Sequence, residues 1–76
     1  MPRVTIVWHE AGIRCIHTAR TYRRFDDRGF GVRFYPAELA LINLQVIEGR
    51  VIDTKTKEDI GNYDEVRRVI TIEKEL

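Results

Sequence analysis

Residues 36–49, PAELALINLQVIEG, decide the fold. Pro36 at a first helical position, Glu38 in a first turn and Gly49 beyond the end are helix signals. The periodicity opposes them. On a helical wheel Asn43 falls between Leu39 and Ile47, inside the would-be apolar face. Read as a strand, Ile42, Leu44 and Val46 point one way, and Asn43 and Gln45 the other. The alternation favours a short turn or single helical turn over 36–39, followed by a strand over 41–47. A full helix is the competing reading.

With that segment extended, its neighbours fall into place. Residues 3–9, RVTIVWH, are β-branched with a tryptophan, which is a strand signal. A three-residue loop, Glu10-Ala11-Gly12, leads to a second strand from Ile13. It sets His9 against Ile13, Val7 against Cys15 and Ile6 against Ile16. That strand runs on to Phe25, turns at Asp26-Asp27-Arg28-Gly29, and returns over 29–35. Gly31 leaves bare backbone across which the Phe25 ring could lie. Glu48-Gly49 is a tight turn or a bulge before a strand over 50–54. Residues 55–59 read as a polar hairpin loop, 60–65 as a turn-rich connector and 66–74 as the closing strand. Apolar side chains on both faces of several strands suit a barrel. The expectation is a mainly β chain forming one domain over residues 1–76. It would be a small barrel or strongly bent antiparallel sheet of five or six strands, SH3-like or OB-like, with at most one short helix near 36–47.

Composition bounds the function. A chain of 76 residues buries only about 60% of its unfolded surface, so a deep enclosed pocket is not expected. Apolar residues at 43% and charged residues at 33% describe a globular chain. No apolar run approaches the roughly 20 residues that span a bilayer, and the N-terminus lacks a signal-peptide apolar stretch. No membrane partner is expected. The lone cysteine, Cys15, excludes an internal disulfide and fits a reducing, cytoplasmic setting. The net charge of +1 hides an asymmetry. Residues 1–36 carry seven arginines against three acids, and residues 37–76 carry six basic against nine acidic groups. Folding could intermix the two halves and cancel the field, or keep them apart.

The chemistry concentrates at 19–36, ARTYRRFDDRGFGVRFYP, which holds five of the ten arginines and five of the seven aromatic residues. Basic groups interleaved with rings on a strand are how single-strand binders work. Arginine meets phosphate, and each base stacked on a ring contributes about 1–3 kcal/mol. The nucleic-acid-binding candidates are Arg20, Tyr22, Arg23, Arg24, Phe25, Arg28, Phe30 and Arg33. The competing reading makes Phe25, Phe30 and Phe34 core and the arginines solvated edge charges that block sheet pairing.

Arg28-Gly29-Phe30-Gly31 resembles the Lys-Gly-Phe-Gly core shared by cold-shock domains and the RNA-recognition-motif family. Phe25-Asp26-Asp27 looks like the Phe-Asn lead-in of cold-shock strands. Val32 stands where those families place another aromatic, and nothing after Tyr35 matches either of them. A second stretch, VRFYPAELALI over 32–42, looks like the strand, tight turn and strand that cross one end of SH3-like barrels. That likeness implies a binding module for peptide, nucleic acid or another subunit.

Other chemistries are thinner. His9, Cys15 and His17 are the only soft metal ligands. Zinc prefers four, so no metal or other cofactor is expected. Cys15 and His17 lie side by side on one strand without an orienting third group. The carboxylate pairs Asp26-Asp27 and Asp64-Glu65 sit in expected turns, exposed. No phosphate-cradling glycine loop or nucleophile elbow occurs. The sequence therefore reads as a non-enzymatic binding module. Its leading partner is single- or double-stranded nucleic acid. The alternative is a protein-interaction adaptor, inhibitor or small subunit acting through sheet edges, as a homodimer among other forms.

Overall fold

Two tight turns set the course of the chain. Ala11 and Gly12 have φ of 49° and 79°, and Glu48 and Gly49 have φ of 49° and 80°. Positive φ at both central residues is the mark of a type I′ turn, whose twist matches that of the flanking strands. In the computed structural model, which describes residues 3–25, 29–37 and 40–76 with backbone alone at 23–25, these turns join strands of an antiparallel meander. The strands are β1 (Arg3–Glu10), β2 (Ile13–Phe25), β3 (Gly29–Phe34), β4 (Ile42–Ile47), β5 (Arg50–Asp53), β6 (Asp59–Asp64) and β7 (Val69–Ile72). They follow one another in chain order around a closed barrel. Seven strands of alternating direction bring the first and last in parallel, so the barrel closes on a parallel β1–β7 pairing at Thr5↔Val69, Ile6↔Ile70 and Val7↔Thr71.

The interior is filled by every second residue. Val4, Ile6 and Trp8 come from β1, Ala19 from β2, Val32 and Phe34 from β3, and Leu44 and Val46 from β4. Val51, Ile60, Ile70 and Ile72 complete the core from the other three strands. Trp8 meets Phe34 edge to face, with centroids 5.2 Å apart at 64°. Its indole N–H donates to Glu10 Oε1 at 2.7 Å, which satisfies the ring's one polar group where it reaches the barrel rim.

The β expectation holds, and the barrel has seven strands where five or six were expected. The alternation read at 42–47 is the observed one: Leu44 and Val46 are buried, while Asn43 and Gln45 lie on the other face. That strand begins at Ile42, and no helix occurs among the described residues. An Ala40 N–H to Ala37 O bond of 2.7 Å marks the turn before it. The additional strand is β6, formed where a turn-rich connector was expected. Gly61 is why the sequence hid it. A Cβ there would lie 2.1 Å from Thr71 O, so the close approach of β6 to β7 demands glycine, a residue usually read as a breaker. The turn instead occupies 65–68, with Arg68 at φ 57°, and the closing strand shortens to Val69–Ile72.

The first hairpin also differs from expectation. Its loop is two residues, Ala11-Gly12, not three. The pairs are therefore Trp8↔Cys15, His9↔Arg14, Val7↔Ile16 and Ile6↔His17. The expected partners shift by one residue, which moves side chains to the opposite face. In this register His9 pairs with Arg14 and lies on the opposite face of the sheet from Cys15 and His17.

Candidate nucleic-acid interface

A meander in chain order has an electrostatic consequence. The arginine-rich first half of the sequence becomes one wall, β1–β3, and the acidic second half becomes the opposite wall, β4–β7. Folding keeps the charge asymmetry instead of intermixing it.

On the outer surface of the basic wall the register aligns three arginines. Arg3 stands opposite Arg20. Thr21↔Val32 brings the preceding residue, Arg20, level with Arg33, and Arg33 stands opposite Asn43. Arg3, Arg20 and Arg33 are all exposed. Neighbouring strands lie about 4.8 Å apart, so the row crosses three strands within roughly 10 Å. Like charges directly opposite one another on a sheet are destabilising. Among the described residues no carboxylate pairs with any of the three.

The acidic wall contrasts with this. Arg50 reaches Asp59 at 2.7 Å and Glu73 at 3.2 Å, and Lys74 reaches Glu58 at 2.9 Å. The hydrogen bond from Arg50 holds the Asp59 carboxyl below its ordinary range. Arg50 and Lys74 on that side are paired with carboxylates within the fold, whereas Arg3, Arg20 and Arg33 have no carboxylate partner among the described residues.

Aromatic rings border the row. The Arg33 guanidinium lies over the Tyr22 ring, 4.6 Å from its centroid. Tyr22 falls at the register shift between Thr21 and Arg23, a bulge that adds a residue to the strand and re-aims side chains locally. Tyr35, two residues beyond Arg33, is 59% exposed. Phe30 is placed differently. Its ring is half-buried against the core and packs edge to face on Tyr63, with centroids 5.1 Å apart at 78°. Of the residues singled out in the sequence, the structure brings Arg20, Tyr22 and Arg33 together. Arg28 and the turn that holds it lie outside the described residues, as do the side chains of Arg23, Arg24 and Phe25 and the proposed Phe25–Gly31 contact. Sequence reasoning missed Arg3 and Tyr35. Arg3 is remote in sequence and joins the row only through the β1–β2 register. The sequence assigns Tyr35 no role, and its exposure singles it out.

The other candidate centres stay dispersed. Among the described residues no group of three His, Cys, Asp or Glu side chains converges to hold a metal ion. The Cys15 Sγ lies 3.5 Å from Ile13 O, its own strand neighbour two residues back. A cleft of about 240 Å³ at one end of the barrel is lined by Gly29, Phe30, Val46, Glu48, Gly49, Tyr63 and Glu65. Its two carboxylates make it unsuited to an anion. Burial pushes the Tyr63 phenol above its ordinary value, with Glu65 and Asp64 adding to the effect and Arg68 opposing it.

No family model matches this chain, and no curated protein or solved structure matches it.

Proposed function

We propose that this barrel is a small non-enzymatic binding module for nucleic acid, with single strands preferred. The observation that supports it best is the row of Arg3, Arg20 and Arg33, three arginines on adjacent strands with no carboxylate partner among the described residues. A fold that only needed solubility would gain nothing from stacking like charges side by side. A polyphosphate backbone would neutralise the row, releasing the counterions condensed on the nucleic acid. Tyr22 holds the Arg33 guanidinium in place, and the open face of Tyr35 offers a platform for an unpaired base. The preference for single strands follows from that ring, since a base within a duplex is already stacked.

A fluorescence anisotropy titration at low salt against labelled single-stranded and duplex oligonucleotides tests this. Binding to the single strand in the micromolar range, weakening linearly on a log–log plot against salt, is the expected result. An absence of binding to either probe at tens of micromolar would end the proposal. Tyr35→Ala should weaken single-strand binding by roughly 1–3 kcal/mol while leaving the salt slope unchanged, because a stacking contact releases no counterion.

A further inference from the structure

The barrel is closed, but one of its strands is not fully paired. β2 spans 13 residues. Its first eight, from Ile13 to Arg20, pair with β1. On its other side β3 begins pairing only at Thr21. Among the described residues no strand pairs with the outer edge of 13–18. In a two-residue hairpin the residues flanking the loop form a hydrogen-bonded pair, and such pairs recur at every second position. Ile13, Cys15, His17 and Ala19 therefore bond to β1. The same parity is visible on β1, where the odd residues turn away from β2: Thr5 N–H donates to Arg68 O, and His9 O accepts from Leu76 N–H. The N–H and C=O groups of Arg14, Ile16 and Thr18 consequently point outward along an open edge. Ile16 at its centre is 57% exposed, and Ile13 at its end is 66% exposed.

Natural proteins block such edges with charge, proline or very short strands. Here arginine stands at one end only, at Arg14, and the centre is a bare isoleucine. We infer that this edge is the interface of a homodimer, in which β2 pairs antiparallel with β2 of a second copy across a two-fold axis at Ile16. The occupant follows from self-complementarity. With the axis at Ile16, Ile16 faces its own symmetry mate and Arg14 faces Thr18 of the other copy. All three outward-pointing backbone units then find partners. Arg14 meets a neutral side chain instead of another arginine. A shift of the axis by one residue towards the C-terminus would put Arg14 opposite Arg20 and oppose like charges. The two isoleucines meet on the outer surface, and the pairing ends at Arg14 and Thr18, because β3 already flanks β2 from Ala19 onward. The interface is a single short strand pair, of the size class of weak, transient complexes, and dimer formation is expected in the micromolar range. Both arginine rows then lie on the outer face of one continuous sheet. The inference does not rest on nucleic-acid binding and is tested without it.

Analytical ultracentrifugation of the native chain across the micromolar range should show concentration-dependent dimer formation. A chain that stays monomeric at hundreds of micromolar overturns the inference. Ile16→Pro deletes an outward N–H that the monomer does not use, and Ile16→Lys places two ammonium groups at the axis. Each should raise the dissociation constant more than tenfold with the folded β spectrum retained. A dimer of undiminished affinity in the folded Lys variant would overturn it even if the Pro variant failed to fold. Register is read by cross-linking in a Cys15→Ser background. Ile16→Cys should oxidise to a covalent dimer, since facing Cα atoms of a hydrogen-bonded pair lie about 5.5 Å apart, within disulfide range. Thr18→Cys alone should not. The reverse pattern would refute the two-fold axis at Ile16.

Discussion

Arg20 sits between two other arginines, so replacing it should move binding and stability in opposite directions. In Arg20→Gln one of three phosphate contacts is lost. With a slope of about −0.7 per phosphate for single strands, three contacts give roughly −2.1 and two give roughly −1.4. A rise from about 50 to about 200 mM salt should then weaken the native chain nearly 20-fold and the variant only about sevenfold. Stability should rise instead, because the substitution removes two like-charge neighbours, Arg3 and Arg33. Opposed like charges cost about 0.2–1 kcal/mol each, and solvent screening puts exposed pairs at the low end, for a total near 0.5 kcal/mol. For a domain of this size that corresponds to a Tm increase of about 2–4 °C. Anisotropy titrations at several salt concentrations measure the first effect, and thermal unfolding by circular dichroism the second. The Tm gain should shrink in high salt, where the repulsion is screened. An unchanged salt slope, or a variant that melts below the native chain, would refute the view that the row is held at a cost for binding.

Other consequences can be checked on the fold itself. Ala11→Asn should raise stability by up to about 1 kcal/mol in urea unfolding, since Ala11 occupies a left-handed conformation that asparagine adopts more readily and Asn-Gly is the favoured type I′ pair. Gly61→Ala should destabilise by more than about 2 kcal/mol, because its Cβ would meet a β7 carbonyl that the barrel cannot move aside. Leu44→Ala, at a fully buried site, should cost about 2–5 kcal/mol, a large part of the roughly 4–11 kcal/mol available to a chain of 76 residues. Burial raises the Tyr63 phenol pKa on folding, so the fold favours the neutral form. That contribution is complete below the unfolded value near pH 10 and is lost as pH climbs through the raised folded value. Tyr63→Phe should remove this alkaline loss in a series of unfolding curves, and an unaltered alkaline limb would contradict the assignment.

The alternation of Ile42, Asn43, Leu44, Gln45 and Val46 was legible because a strand buried on one side has to repeat every second residue, whatever surrounds it. The closure of several short, two-sided strands into a small barrel was legible for the same reason. The first hairpin's register was not, because it depends on whether Glu10 belongs to the loop. That is settled by Ala11 accepting a positive φ, which its side chain does not advertise. β6 was unreadable because Gly61 and Asn62 lack strand preference, and only the approach of β7 gives Gly61 its purpose. Phe30 and Tyr35 looked alike as rings in a basic hairpin. Packing turned the first onto Tyr63 and left the second exposed, a distinction that requires the barrel's inside and outside to be known.

By itself the sequence determined the β class, the β4 strand and the uneven distribution of charge along the chain, since each of these is written in local order. Only the tertiary structure decided that this unevenness persists in space. A meander keeps sequence neighbours as sheet neighbours, so the basic first half remains one wall. Register then draws Arg3, 17 residues away from Arg20, into the same row. The open edge at Ile16 is likewise a matter of unequal strand lengths, β2 outrunning β3, which no single strand's sequence contains.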